Sequence, residues 1–360
     1  MSMALLHYPK FVQDKYKIEI PEPLAAELFS NKESEKVHDW IKTVTLKIIQ
    51  GKSGVVFSIG KLRYSLVKSR NLAHRIAELI HEEMLNLGLP KSLELEIDKS
   101  QDTILQKGYS IRTLLLHHDG GHCSYLSPSK NDIKDWDLKY RTFSDEGFTT
   151  THKHKLYQGI FVVEPGDGLS VTTYYDWVEI VKDSYQYQTG DLSGDINKIS
   201  RWLGENIKNS YNNIPYHRAQ YLSIPAALGC QELAYQGASI ERAEKNFTED
   251  DFNTFPQLLE IAKDCKCNNC KSDMLRFLCN AFHKTLGLNW TEFREKYEIS
   301  VPTERYDFVI GDNISMLHGG LLGGGKRVIE PICFVTDNHL IDQDYEDWLA
   351  SIWRKSEDNK

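Results

Sequence analysis

The densest chemistry in the chain lies at residues 112–125, RTLLLHHDGGHCSY. An apolar run delivers His117, His118 and Asp119, then two glycines, then His122. Side chains alternate along a strand, so His117 and Asp119 share a face while His118 takes the other. An imidazole and a carboxylate side by side at a strand end can grip a divalent cation. A second segment offers complementary donors: 306–330, YDFVIGDNISMLHGGLLGGGKRVIE. Here Asp312-Asn313 marks a turn into a short strand predicted to run from Ser315 and end at His318. A glycine-rich loop follows, and Arg327 opens a further strand expected beside the first.

Two histidines and one carboxylate form the facial triad of mononuclear non-haem iron(II), which leaves coordination positions open for other ligands. A guanidinium fixed nearby suits a dicarboxylate, because its planar fork pairs with a carboxylate through two hydrogen bonds. On these residues the sequence resembles the iron(II)/2-oxoglutarate-dependent oxygenases, in particular the taurine dioxygenase and clavaminate synthase-like branch. His117-x-Asp119, the DNISMLHGG around His318 and Arg327 carry the resemblance. A third match lies at 166–176, GDGLSVTTYYD, where a threonine hydroxyl would help hold 2-oxoglutarate. Thr172 is the first choice by its spacing to Asp176, and Thr173 the second.

The resemblance implies that His117, Asp119 and His318 bind Fe(II) and are the catalytic centre. It implies that 2-oxoglutarate chelates the iron and pairs its far carboxylate with Arg327, leaving a position for O2. Hydroxylation of an unactivated C–H of a small molecule, an amino acid or natural-product intermediate, is the implied outcome, with release of succinate and CO2. Desaturation or ring closure uses the same ligands. Related halogenases have a small residue in place of the carboxylate, so Asp119 argues against halogenation. The implied fold is α+β with a mainly β core, a double-stranded β-helix (jelly-roll) spanning about 50–183 and 301–340. N-terminal helices would wrap it, and a large helical insertion at 184–300 would complete a single elaborated domain over 1–360.

The elements that must position these residues are legible in the hydrophobic pattern. Residues 35–49 place Val37, Trp40, Ile41, Val44, Ile48 and Ile49 on one helical stripe. Residues 55–59 read as a short buried strand, and 69–87 as a helix capped by Ser69 and stopped by Gly88 and Pro90. Alternation marks strands at 93–97 and 109–116. Residues 157–163 and 169–175 read as a hairpin across Glu164-Pro165-Gly166-Asp167-Gly168. Helices are expected at 194–208, 251–264 and 271–286, then strands at 306–310, 315–318 and 327–335, and a last helix at 343–354. Strands, a helical block and strands again point to an antiparallel core with an insertion rather than a parallel doubly wound sheet.

Composition bounds the rest. The 360 residues are 41% hydrophobic and 26% charged, ordinary for a folded chain and unlike collagen or disordered sequence. Forty-three basic against 51 acidic residues give a net charge of −8, which repels a phosphate backbone. Neither a nucleic acid nor a membrane is therefore an expected partner; a small-molecule substrate is. No apolar run reaches the ~20 residues that span a bilayer. The first residues lack a signal-peptide core, and seven cysteines, an odd count, read as reduced thiols in a cytoplasm. Cys265, Cys267 and Cys270, with Cys279 or His283, could hold zinc, but C-x-C-x-x-C lacks paired knuckles and reads first as a thiol-rich loop. His152-x-His154 lacks supporting donors, Gly323–Gly325 lacks the ending of a phosphate loop, and Tyr174, Tyr175 and Trp177 read as packing residues. Arg201, Arg218 and Arg242 read as solvated helix charges. The rival function is a non-catalytic or zinc-holding β-barrel binding module in which the same ligands sit idle.

Overall fold

The computed structural model describes residues 16–30, 34–50, 54–89, 93–97, 104–106, 113–117, 154–165, 171–211, 228–229, 273–313, 315–321 and 327–336. The expected helices at 251–264 and 343–354 lie outside them. In chain order the elements are β1 (Lys17–Ile18), α1 (Glu22–Phe29), α2 (Glu35–Gln50), β2 (Val55–Phe57), α3 (Leu66–Asn86), β3 (Glu94–Ile97), β4 (Ile104–Gln106), β5 (Thr113–His117), β6 (His154–Glu164) and β7 (Val171–Asp176). Four helices follow, α4 (Trp177–Thr189), α5 (Ile196–Tyr211), α6 (Asp273–Leu286) and α7 (Trp290–Tyr297). Then come β8 (Glu298–Pro302), β9 (Phe308–Asp312), β10 (Met316–Leu321) and β11 (Arg327–Thr336). The protein is thus mixed α and β, with a sheet-rich core and seven α-helices among the described residues.

Among the described residues the strands form two ladders. The larger sheet has seven strands in the order β1-β2-β9-β6-β11-β3, with β4 also on β11; the smaller has four, β5-β10-β7-β8. Every pairing is antiparallel except β1 with β2. Among the eight strands β4 to β11, the first pairs with the last, the second with the seventh, the third with the sixth and the fourth with the fifth. One apolar cluster joins the sheets: Val56, Ile160, Val162, Val309 and Ile329 from the larger, Tyr174, Val301 and Met316 from the smaller. Those residues define the inner face of each sheet, and period-two alternation assigns the rest.

Helices cover the other face of the larger sheet. In α2 the buried positions Val37, Ile41, Val44 and Ile48 repeat at helical spacing, and the helix packs on α3 and β9. Trp40 meets Phe57 edge-on at 5.9 Å, and Phe57 stacks on Phe308 at 5.6 Å. The cap of α3 is Ser65, whose hydroxyl accepts from the Lys68 N–H at 3.4 Å, rather than Ser69. Ser69 lies fully buried one turn inside, because the helix starts at Leu66, three residues before the expected 69. Arg70 of α3 donates through Nε and Nη2 to the two carboxylate oxygens of Glu330, which tethers the helix to β11.

The expected hairpin at 157–175 does not form. β6 pairs with β9 and β11 in the larger sheet and β7 with β8 and β10 in the smaller; residues 166–170, the centre of the expected turn, lie outside the described residues. A turn signal is local; which ladder the next strand joins is decided by partners distant in sequence. The helical block also has different limits. β7 ends at Asp176 and α4 starts at Trp177, while β8 begins at Glu298, so core strands occupy residues placed at the edge of the insertion. By contacts the chain divides into two compact units: one holds all the described strands with α1–α3, the other holds α4–α7. In the helical unit Phe282 stacks on Phe293 at 4.1 Å, and Ser184 Oγ donates to the Thr285 carbonyl at 2.9 Å. Gln188 Nε2 donates to the Leu228 carbonyl at 2.6 Å, tying a distant segment to α4. No helix among the described residues is long and apolar enough to cross a membrane.

Candidate functional site

The register of the smaller sheet brings the two histidines together. His318 on β10 pairs directly with His117, the last residue of β5, and on its other side with Tyr174 of β7. Residues directly opposite in an antiparallel ladder share a face, with Cβ atoms about 4.5–5.5 Å apart. Met316 and Tyr174 belong to the inter-sheet cluster, so this row occupies the inner face. His318 itself is buried, 6% exposed. It is not at a strand end as expected: β10 continues to Leu321, and the glycines at 319 and 320 are paired strand residues rather than loop. Glycine reads as a breaker in sequence, yet here the neighbouring strands supply the ladder that holds it.

The Asp312-Asn313 pair explains how β10 gets its start. Asp312 ends β9 in the larger sheet, where it pairs with Tyr157. Its carboxylate accepts from the Ser315 N–H at 3.1 Å and the Ser315 hydroxyl at 2.7 Å, closing a turn that hands the chain to the smaller sheet at Met316. Asn313, 1% exposed, donates its backbone N–H to the Leu156 carbonyl at 2.9 Å. Burial, and then the negative charge of Asp312, push the Tyr157 phenol well above its ordinary pKa. The motif is therefore a corner that sets the register of His318.

Two residues along from the histidine row, Thr172 of β7 pairs with Gly320. Thr172 is on the inner face with Tyr174 and is 3% exposed; its Oγ1 is buried, and no described residue gives it a hydrogen-bond partner. Gly320 leaves the neighbouring inner-face position without a side chain. Thr173 is buried too, but it alternates to the opposite face, opposite Ser300. Tyr175 is on that outer face as well and donates to Glu298 at 2.8 Å, while Ser300 Oγ donates to the same carboxylate at 3.1 Å. Of the two threonines, only Thr172 shares a face with His318.

Arg327 is the first residue of β11. The sequence places it on the strand beside His318, but β10 and β11 belong to different sheets. Glu330 points to α3 and Ile329 belongs to the inter-sheet cluster; Arg327 pairs with Gln106 of β4, and the β6–β11 register shifts between Val328 and Ile329. The inner face of the smaller sheet thus carries His318 and Thr172, with His117 paired to His318 in the backbone register.

Asp119, His122, His152, Cys265, Cys267, Cys270 and Gly323–Gly325 lie outside the described residues. Cys279 is buried and His283 on the same helix is exposed, one inside the packing and the other in solvent. Tyr174, which the sequence reads as a packing residue, is the neighbour of His318 on β7; strand parity with Thr172 is the signal that places it on the inner face. No family model matches this chain, and no curated protein does.

Proposed function

We propose that this protein is an Fe(II)/2-oxoglutarate-dependent oxygenase that hydroxylates an unactivated C–H of a small molecule, with its core strands arranged as a double-stranded β-helix. The nested pairing of β4 to β11, outermost strands together and innermost together across two sheets, is what winding one long antiparallel pair into a jelly-roll produces. The observation that carries the functional reading is the direct pairing of His117 with His318 in the backbone register. Such a pair would offer two imidazoles to one cation, and Asp119, two residues beyond His117 in sequence, would supply the carboxylate of a facial triad.

The residues present fit the cosubstrate. Thr172 Oγ1 is a buried hydroxyl lacking a described partner, which is costly to leave unmade and is satisfied by a carboxylate oxygen. From the His318 row to the Thr172 row is two residues, about 7 Å along the strand, comparable to a five-carbon dicarboxylate. The Thr172 hydroxyl would donate to the far carboxylate and Arg327 would pair with it, orienting the acid with its keto end toward the histidines. The apolar cluster of Val56, Val162, Val301 and Ile329 keeps water from the interior. With 2-oxoglutarate and O2, bound iron supplies oxidation of a C–H to an alcohol, with succinate and CO2 as coproducts.

The test is succinate formation from 2-oxoglutarate under air with purified protein and added Fe(II), in the wild type and in His117→Ala and His318→Ala. Iron-dependent succinate lost in both variants is the expected result. Equal binding of 2-oxoglutarate by wild type and both variants, with no turnover on any metal, would replace this reading with the idle binding module.

A further inference from the structure

We propose that Tyr174 is a positioning residue for this site: its ring, keyed into a glycine notch on the facing sheet, sets the separation of the two sheets beside His318. The inference rests on the reading of His117 and His318 as metal ligands, and adds a residue that touches neither metal nor cosubstrate.

Tyr174 pairs directly with His318, so its Cβ stands about 5 Å from that of the histidine on the same inner face. It is 5% exposed, and its side chain crosses to the larger sheet. There it meets Gly54 and Gly311. Gly54 immediately precedes Val55 and Gly311 immediately follows Ile310, and Val55 pairs with Ile310, so the two glycines oppose each other across β2 and β9. Both share the inner face with Val56 and Val309 of the apolar cluster. A Cβ at Gly311 would fall 2.6 Å from the Tyr174 ring, and one at Gly54 would fall on its hydroxyl end. The paired absence of side chains is therefore filled by one aromatic ring.

This arrangement couples the sheets at the level of the histidine row. The ring is rigid and has only two side-chain torsions, so a Cβ intruding into the notch must either push the smaller sheet away or turn the ring toward His318. Either displacement alters the neighbour of a proposed ligand without touching the ligand. A ring too small for the notch would let the sheets approach and would leave His318 less constrained.

The experiment uses the full chain, anaerobic, with Fe(II) and 2-oxoglutarate as probes, following the visible charge-transfer absorption of their ternary complex. Tyr174→Phe retains the ring and is expected to bind within about twofold of wild type. Tyr174→Leu and Gly311→Ala, folded by circular dichroism, are each expected to weaken formation of the complex roughly tenfold and to shift its absorption. In the double variant the smaller side chain relieves the intruding methyl, so binding recovers to better than Gly311→Ala alone. A merely structural ring would lower thermal stability in both single variants yet leave the absorption and the affinity of the folded protein unchanged, which would overturn the proposal. Effects that simply add in the double variant would overturn it as well. If His318→Ala left the complex intact, the metal reading itself would fail, an outcome separate from these.

Discussion

Thr172→Val separates a ligand-binding hydroxyl from a structural one by predicting opposite signs for two measurements. Valine has nearly the shape of threonine, so the substitution removes Oγ1 and little else. Oγ1 is buried and lacks a described partner, and an unmade hydrogen bond at a buried hydroxyl costs about 1–3 kcal/mol. Without ligands the variant should therefore be more stable than wild type by about 1–3 kcal/mol in chemical denaturation. Once 2-oxoglutarate is bound the same hydroxyl serves a carboxylate, and a hydrogen bond to a charged group contributes about 1.5–3 kcal/mol. Its loss corresponds to an increase in Kd of roughly 10- to 150-fold. Titration of the anaerobic Fe(II) protein with 2-oxoglutarate reads that change, and addition of the acid should raise the melting temperature of wild type more than that of the variant. Thr173→Val is the control, since Thr173 occupies the other face and should leave the affinity unchanged. A Thr172→Val protein that is less stable and binds 2-oxoglutarate as well as wild type would refute the reasoning.

Further outcomes follow from groups outside the site. Asp307, 2% exposed, accepts from the Gly60 N–H at 3.3 Å and the Glu304 N–H at 2.9 Å, yet burial outweighs those bonds and raises its pKa from 3.8 to about 6. Between those values the folded protein keeps a proton that the unfolded chain has lost. Asp307 therefore contributes stability that is full below pH about 4 and declines by about 2–3 kcal/mol as pH rises to about 6. Denaturation of wild type and Asp307→Asn at several pH values reads this directly: the difference between them should change across that window, and parallel profiles would sink the assignment. Ser65→Ala should cost about 0.5–1 kcal/mol through loss of the α3 cap. Ser69→Ala should be neutral or stabilising, because Ser69 Oγ is buried and no described residue partners it; the reverse ranking would restore Ser69 as the cap.

The helices α2 and α3 could be read from the chain because their determinants are local. Val37, Ile41, Val44 and Ile48 recur at the helical period, and the burial of that stripe needs only an apolar surface somewhere opposite. The chemical candidates were legible for a similar reason: His117, Asp119, His318 and Arg327 stand out by residue type beside apolar runs and glycines. Even the Asp312-Asn313 turn was visible, although its task, passing the chain from one sheet to the other, was not.

Pairing was decided only in three dimensions. Two strands and a Pro-Gly turn looked like a hairpin, yet β6 and β7 joined different ladders, because each found partners more than a hundred residues away, β6 at Phe308–Asp312 and β7 at Glu298–Pro302. The choice between Thr172 and Thr173 likewise rested on which parity of β7 met the inter-sheet cluster, and a shift of one residue would have reversed it. The opposition of His117 to His318 and the fit of Tyr174 between Gly54 and Gly311 arise from the same registers. Sequence patterns specify which faces are apolar and which groups can react; the register of strands distant in the chain emerges from the collective burial of both sheets, and that register determines which reactive groups become neighbours.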